Sequence, residues 1–437
     1  MHASESPDPR SRPAPVPFDA ADPAFLDDPY PAYAALRAAG PVHDHPGLGL
    51  PVAVTHAACS AVLRDRGLGR IWTDARPETE LAAFNLLHRN SLLEREGEPH
   101  TRLRRLVAAA FARGHTERLA PLVRARATAL VGDLVARVRD GEPADLVGLV
   151  AEPLPVQVIA DLLGVPDDRR APLRDWSDAI VRMYEPDPGP AARRAAERAS
   201  ADFVSMLRDL VAERGAGAAG RPSAPRGAEH AATGAPGGGD LVGDLLAVRD
   251  SGDRISADEL VGTAALLLMA GHEATVNVIG NGVHALLRHP DQWRRLVVDP
   301  ELVGTAVEEL IRFDAPLQLF ERTAVADTTV AGYRVPAGGR IGTLLGAAGR
   351  DPAVFGEHAD RLDVGRSPNP HLGFGAGVHY CLGAPLARLE IAEVLRALVR
   401  LLPDAAPAGN PVRRPRFVMR GWSELLLTAS TERPSVH

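Results

Sequence analysis

Lysine is absent. The 49 basic residues of this 437-residue chain are all arginine, set against 56 acidic ones, for a net charge of −7. With a pI near 6.1, there is no basic surplus of the kind that marks a nucleic-acid partner. The missing lysine, together with the abundance of alanine, reads as a genomic composition bias. Cysteine is almost absent: Cys59 and Cys381 are the only two. An iron–sulfur cluster takes about four cysteine ligands, so none is carried, and a disulfide framework is excluded in a chain of this size. The compartment therefore reads as reducing and cytoplasmic. Long apolar runs are missing as well. The longest uncharged apolar-rich stretch lies around residues 262–271, well short of the ~20 residues of a spanning helix. Residues 1–17 are polar and rich in Ser, Pro and Arg, with no signal-peptide core. They read as a disordered tail, and no membrane is expected as a partner. Hydrophobic residues still make up 45% of the chain, ample for a large core.

What is there centres on Phe374-Gly-Ala-Gly-Val-His-Tyr-Cys-Leu-Gly383. Gly375 and Gly377 let the backbone bend and approach a flat partner closely. Phe374 can shield the sulfur. The run after Cys381 reads as a helix with Pro385 in its first turns, where proline is tolerated. Cys381 thus stands at a helix N-terminus, whose free N–H groups and dipole favour a thiolate. An isolated cysteine is most often a small buried hydrophobe; here the surrounding string argues otherwise. The whole pattern, F-G-x-G-x-H-x-C-x-G, resembles the haem-binding loop of the cytochrome P-450 family. The resemblance implies haem b (iron protoporphyrin IX) with the Cys381 thiolate as axial ligand, a ligand that favours O–O cleavage. Phe374, Gly375, His379 and Gly383 would belong to the cofactor-binding loop. The implied fold is mostly α with a smaller β portion, a single domain over residues 18–432 with haem between a long central helix and the Cys381 loop.

Other motifs follow in the family's order. A strand near residues 51–55 precedes a short helix carrying Cys59, taken as a core residue, and residues 67–99 read as an irregular loop. On the helix opening at Glu98, His100 and Arg104 are four apart and share a face; by themselves they fit a solvated basic surface. The resemblance makes them contacts for the haem propionates, with Arg322 and His379. Residues 116–214 read as successive helices. Residues 213–239 are rich in Gly, Ala, Pro and Ser and read as a flexible insertion. Within it, Gly215-Ala-Gly-Ala-Ala-Gly220 is a formal G-x-G-x-x-G, but it follows a helix and opens low-complexity sequence, so it is no dinucleotide site.

The longest helix is expected over Ser256–His289, about 50 Å long, with Ser256 and Glu259 as a capping box. At its centre lies Ala270-Gly-His-Glu-Ala-Thr275. Gly271 suggests a kink or the close approach of a ligand, and a Glu273 in so apolar a helix must be paired or wet. The resemblance implies a dioxygen groove with an acid–alcohol pair. Here the position after the acid is Ala274, where the family usually has threonine, and Thr275 is turned about 100° away. His272 has no assigned role. Glu309 and Arg312 match the family's structural E-x-x-R. Gly349 stands where asparagine is usual. The substrate pocket is expected to be lined by Leu267, Ala270, Leu317, Leu319, Phe320 and the tip residue Trp422.

The implied activity is O₂ activation and the hydroxylation or epoxidation of a hydrophobic small molecule, such as a polyketide, terpenoid or peptide natural product. Electrons would come from a separate ferredoxin with its NAD(P)H-dependent reductase, or from a flavin partner. Oxidative coupling or desaturation on the same scaffold, and a non-catalytic haem-binding role, are the alternatives.

Overall fold

The computed structural model describes residues 18–108, 111, 113–219, 241–250 and 255–430. Helices dominate, and the longest organises the rest. It spans Ala257–Arg288, one residue inside each expected end. Its start is fixed locally: the Glu259 amide donates to Ser256 Oγ at 3.1 Å, and the Ser256 amide donates to Glu259 Oε2 at 2.9 Å, satisfying two of the free donors of the first turn. Nearly every side chain along it is buried.

In chain order the elements that position the site are α1 (Tyr30–Ala39), α2 (His56–Arg64), α3 (Ala82–Arg89), α4 (Gly97–Ala108), α5 (Arg113–Arg139), α6 (Pro153–Leu163), α7 (Leu173–Val181), α8 (Pro190–Ala219), the central α9 (Ala257–Arg288), α10 (Val303–Phe313) and α11 (Ala384–Leu401). A five-stranded sheet holds β1 (Val42–His45), β2 (Leu50–Ala53), β3 (Leu68–Gly69), β4 (Leu319–Ala324) and β5 (Arg340–Leu344), in the order β1-β2-β5-β4-β3. Only the β2–β5 pair is parallel. A hairpin of β6 (Val412–Arg413) and β7 (Trp422–Glu424) returns the chain to this sheet.

Three expectations need correction. The stretch 67–99 is not wholly irregular, because it contains α3. Phe84, Leu87 and His88 put one buried face on that helix, and its first amides, Ala83 and Phe84, donate to the Glu197 carboxylate on α8 at 2.9 and 3.0 Å. The insertion begins later than its composition suggests. Residues 213–219 continue α8, helped by their alanines and by Arg214, which donates to the Gly164 carbonyl at 2.6 Å. Residues 220–239 lie outside the described residues, as does the tail 1–17. Gly271 serves helix packing: a Cβ there would come within 2.8 Å of Ile159 Cγ1 on α6. Cys59 is fully buried, as expected.

Glu309 and Arg312 on α10 are more than a surface pair. Both side chains are fully buried. Arg312 donates to both Glu309 oxygens at 2.7 Å and to the carbonyls of Gly349, Ala359 and Arg361. Glu309 also accepts from the Asp363 amide, Arg366 and Asn369. A Cβ at Gly349 would fall 2.6 Å from the Arg312 carbonyl, so the backbone meets here only through glycine.

A buried pair is costly to break because the surviving charge has no water. Glu309→Gln should therefore destabilise the protein by about 3–5 kcal/mol, measured by chemical denaturation. A loss under about 1 kcal/mol would mean that the two arginines find compensation elsewhere.

Candidate active site

The Cys381 loop is shaped by two left-handed glycines, Gly375 (φ 69°) and Gly377 (φ 71°). At Gly377 a Cβ would also strike the Leu63 carbonyl at 2.5 Å, so α2 and the loop meet only through glycine. The Cys381 amide donates to the Phe374 carbonyl at 2.9 Å, and the Gly375 amide to that of Leu372 at 2.8 Å. Burial pushes the Cys381 thiol up. The N–H groups of Gly383 and Ala384 at the start of α11, and the charges of Arg104 and Arg388, pull it down. Arg388 lies 4.4 Å over the Phe374 ring and is paired to Glu308.

The middle of α9 exposes a narrow stripe. Ala270 is exposed and Ala274 partly so, four residues apart on one face, while His272, Glu273 and Thr275 are buried. Small residues open to solvent in the middle of a buried helix define an internal groove. Leu267, one turn earlier, is buried. Thr275, 3% exposed, does not reach the groove face.

The carboxylate-seeking residues converge. The His100 and His379 rings are 4.4 Å apart. Arg104 donates to the Tyr380 carbonyl at 2.7 Å. Arg322 is 2% exposed, and among the described residues no carboxylate pairs with it. Burial, then the Arg70 charge, bring its guanidinium down to about 9. Burial also brings His100 down to about 4, and His100 Nε2 is buried with no partner. The orphaned His100 Nε2 and the buried Arg322 without a carboxylate partner among the described residues fit a haem with two carboxylates. Sequence reasoning missed Glu96, which is 2.6 Å from His379 Nε2 and accepts the Arg70 amide. Its place four residues before His100 was the available signal. Arg70, paired to Glu94, was missed too.

The expected pocket residues divide. On β4, successive side chains point to opposite faces. Phe320 lies between the Arg70 and Arg322 guanidiniums, at 4.9 and 4.7 Å, while Leu319 packs into the core with Leu50 and Val52. Leu317 pairs with Met419. Trp422 is not at the hairpin tip. It is buried on β7 under Arg413 and beside His284 and Gly280 of α9, about 15 Å along that helix from Ala270. The tip is 414–421, and its Phe417, Val418 and Met419 amides all donate to the Glu185 carboxylate.

Glu273 turns from the groove to a charged cleft shared with Glu152, Arg174, Asp178, His272 and Arg414. His272 Nε2 is 3.4 Å from its carboxylate. Arg174 and Arg414 both donate to Glu152, at 2.6 and 2.7 Å. The cleft's space of about 10 Å³ suits about one water, and Arg174 is 48% exposed.

The cytochrome P450 family model matches residues 74–403. The chain belongs to the cytochrome P450 family. It is 38% identical over 411 residues to cytochrome P450 monooxygenase PikC of Streptomyces venezuelae, covering 92% of this chain and 91% of that one. With the mycinamicin IV hydroxylase/epoxidase of Micromonospora griseorubida it shares 39% over 352 residues, 80% of each. Among solved structures, P450BioI in complex with an acyl carrier protein ligated to hexadec-9Z-enoic acid superposes with a TM-score of 0.83 at 30% identity, over 93% of this chain and 100% of that one. This P450 is accordingly a haem-thiolate monooxygenase. Its cofactor is haem b with a cysteine thiolate ligand, and it acts on O₂ and a small molecule. Among the described residues no helix is long and apolar enough to cross a membrane.

Glu308 gives the site a pH dependence. Burial opposes its ionisation, but hydrogen bonds from Arg388 and His371 hold its carboxyl at about 2. A depressed folded-state pKa contributes stability above the unfolded value, near 4.3, and loses it on acidification. The stability gap between the native protein and Glu308→Gln should thus be constant above about pH 5.5 and close as pH falls toward about 2. Urea midpoints across that range report it; a gap indifferent to pH would contradict the assignment.

Proposed function

We propose that this P450 hydroxylates or epoxidises a hydrophobic, partly oxygenated natural product such as a polyketide, terpenoid or peptide. The observation that carries the reading is the small-residue stripe of Ala270 and Ala274 on the central helix, together with a relative named mycinamicin IV hydroxylase/epoxidase. Bound haem would supply O₂ activation, ligated by Cys381 and flanked by Phe374, Gly375 and Gly383. His100, Arg104, Arg322 and His379 would hold its carboxylates, and Glu96 would orient His379. Glu309 and Arg312 brace the loop's approach. Glu273 would pass protons from the cleft, with solvent access past the half-exposed Arg174. Leu267, Ala270 and Phe320 would border the substrate, with Met419 and Leu317 at the far wall in place of Trp422 and Leu319.

Ala274 has no hydrogen-bonding group, and Thr275 is buried elsewhere. A hydroxyl at the groove must therefore come from water or from the substrate. The same gap favours a second reading, oxidative coupling or desaturation, in which product carries no oxygen from O₂.

Residues 18–432 form the catalytic domain in this reading, and it works in the cytoplasm. Electrons come from a separate ferredoxin and its NAD(P)H-dependent reductase, or from a flavin partner. Val378 and Tyr380 are exposed by 47% and 39%, and Tyr380 is bonded to Arg104 and Arg388; this face would meet the partner, and if arginines bind an acidic surface there, turnover should fall with added salt.

Turnover of a macrolide panel under ¹⁸O₂ tests the proposal. One labelled oxygen per product is expected, only with a separate electron donor (ferredoxin and reductase, or a flavin partner) present. Unlabelled product would establish the coupling or desaturation reading, and NAD(P)H-driven turnover by the chain alone would refute the partner.

A further inference from the structure

Tyr184 ends the short turn Arg182–Tyr184 that follows α7. The residue is 36% exposed, and burial is still the largest influence raising the pKa of its phenol. Its hydroxyl is 3.0 Å from Nε2 of His88 on α3. The charges of Glu94, Arg70 and Glu273 on α9 all act on its phenol. A residue bonded to α3, within reach of charges on the α3–α4 link and α9, and desolvated at its hydroxyl while partly accessible, is read as facing an interior space. The same central turn of α9 exposes Ala270 into the groove.

The geometry fixes the proton on this pair. His88 Nδ1 is 2.8 Å from the Phe84 carbonyl, and a carbonyl can only accept. Nδ1 therefore carries the hydrogen, Nε2 is the acceptor, and the Tyr184 hydroxyl donates to it. The His88 ring is held by Trp72, stacked at 4.8 Å, and by Phe84 at 4.1 Å, so it has little freedom to turn. With its proton committed to His88, the Tyr184 oxygen presents its lone pairs to the interior space.

We propose that Tyr184, oriented by His88, is the polar anchor of the substrate pocket, its oxygen accepting a hydrogen bond from a hydroxyl on the otherwise hydrophobic substrate. The proposal rests on the functional reading above and narrows its substrate class to alcohols. A fixed acceptor in an apolar enclosure discriminates strongly, because a molecule without the donor leaves it unpaired. It also supplies orientation that the groove itself, lined by Ala270 and Ala274, cannot.

The probes are ω-(imidazol-1-yl)alkan-1-ols of increasing chain length and the matching 1-alkylimidazoles, titrated against the haem-loaded full chain. The imidazole ligates ferric haem and shifts its Soret band, while the far end explores the pocket. A thiolate-type carbon monoxide spectrum is recorded first. Its absence would be a failure of the functional reading and not of the anchor. At one chain length the alcohol should bind the native protein roughly fivefold tighter than the alkane. In Tyr184→Phe that preference should vanish or reverse, since burying an unpaired hydroxyl is unfavourable, while the alkane's affinity and the melting temperature stay within about twofold and a few degrees. His88→Phe, which frees the Tyr184 proton, should weaken the preference without abolishing haem binding. An alcohol preference equal in the native protein and both variants, or no preference above about twofold at any length, would overturn the proposal.

Discussion

One carboxylate without access to water governs the side of the molecule that carries Cys381. Glu309 is fully buried, and ionised it would be untenable alone. Its two oxygens instead collect Arg312, Arg366, Asn369 and the Asp363 amide. Arg312 spends its remaining donors on carbonyls of residues 349, 359 and 361. The segment leading toward the cysteine has little regular structure of its own, so these bonds replace a ladder. Next to it, Glu308 fixes Arg388 and His371, and Arg388 covers Phe374. Two adjacent acids on α10 thus brace the approach and the loop.

Against this rigid wall stands a more adjustable one. Helix α7 is tied to the hairpin by charge, through Arg414 and Arg416 on Asp178, and the link after it by the Glu185 carboxylate on three tip amides. Glu273 sits where these ties meet the central helix. Glu273 and the elements around it therefore share one network of ion pairs, mostly buried, with Arg174 a half-exposed member.

The sequence made legible whatever is encoded locally. The capping box of α9 lies within four residues, and its helix was found to within one residue at each end. The cysteine loop was readable because its glycines, histidine and cysteine are contiguous. What escaped is fixed from far away. Helix α3 has no cap of its own and borrows Glu197, 113 residues on. The family resemblance puts Trp422 and Leu319 in the pocket, but strand alternation and the packing of His284 and Leu50 turn them elsewhere. Glu96 and Arg70 gain their place beside His379 only when β3 joins the sheet edge.

All of this presumes that the Cys381 sulfur is held ionised in front of the groove and bonded to iron. The most direct measurement is the absorption spectrum of the reduced, haem-loaded protein under carbon monoxide, taken for the native chain and for Cys381→Ser. The account predicts the far-red Soret band of thiolate-bound haem in the first and its loss in the second. A native chain without that band, or a serine variant that keeps it, would contradict the account.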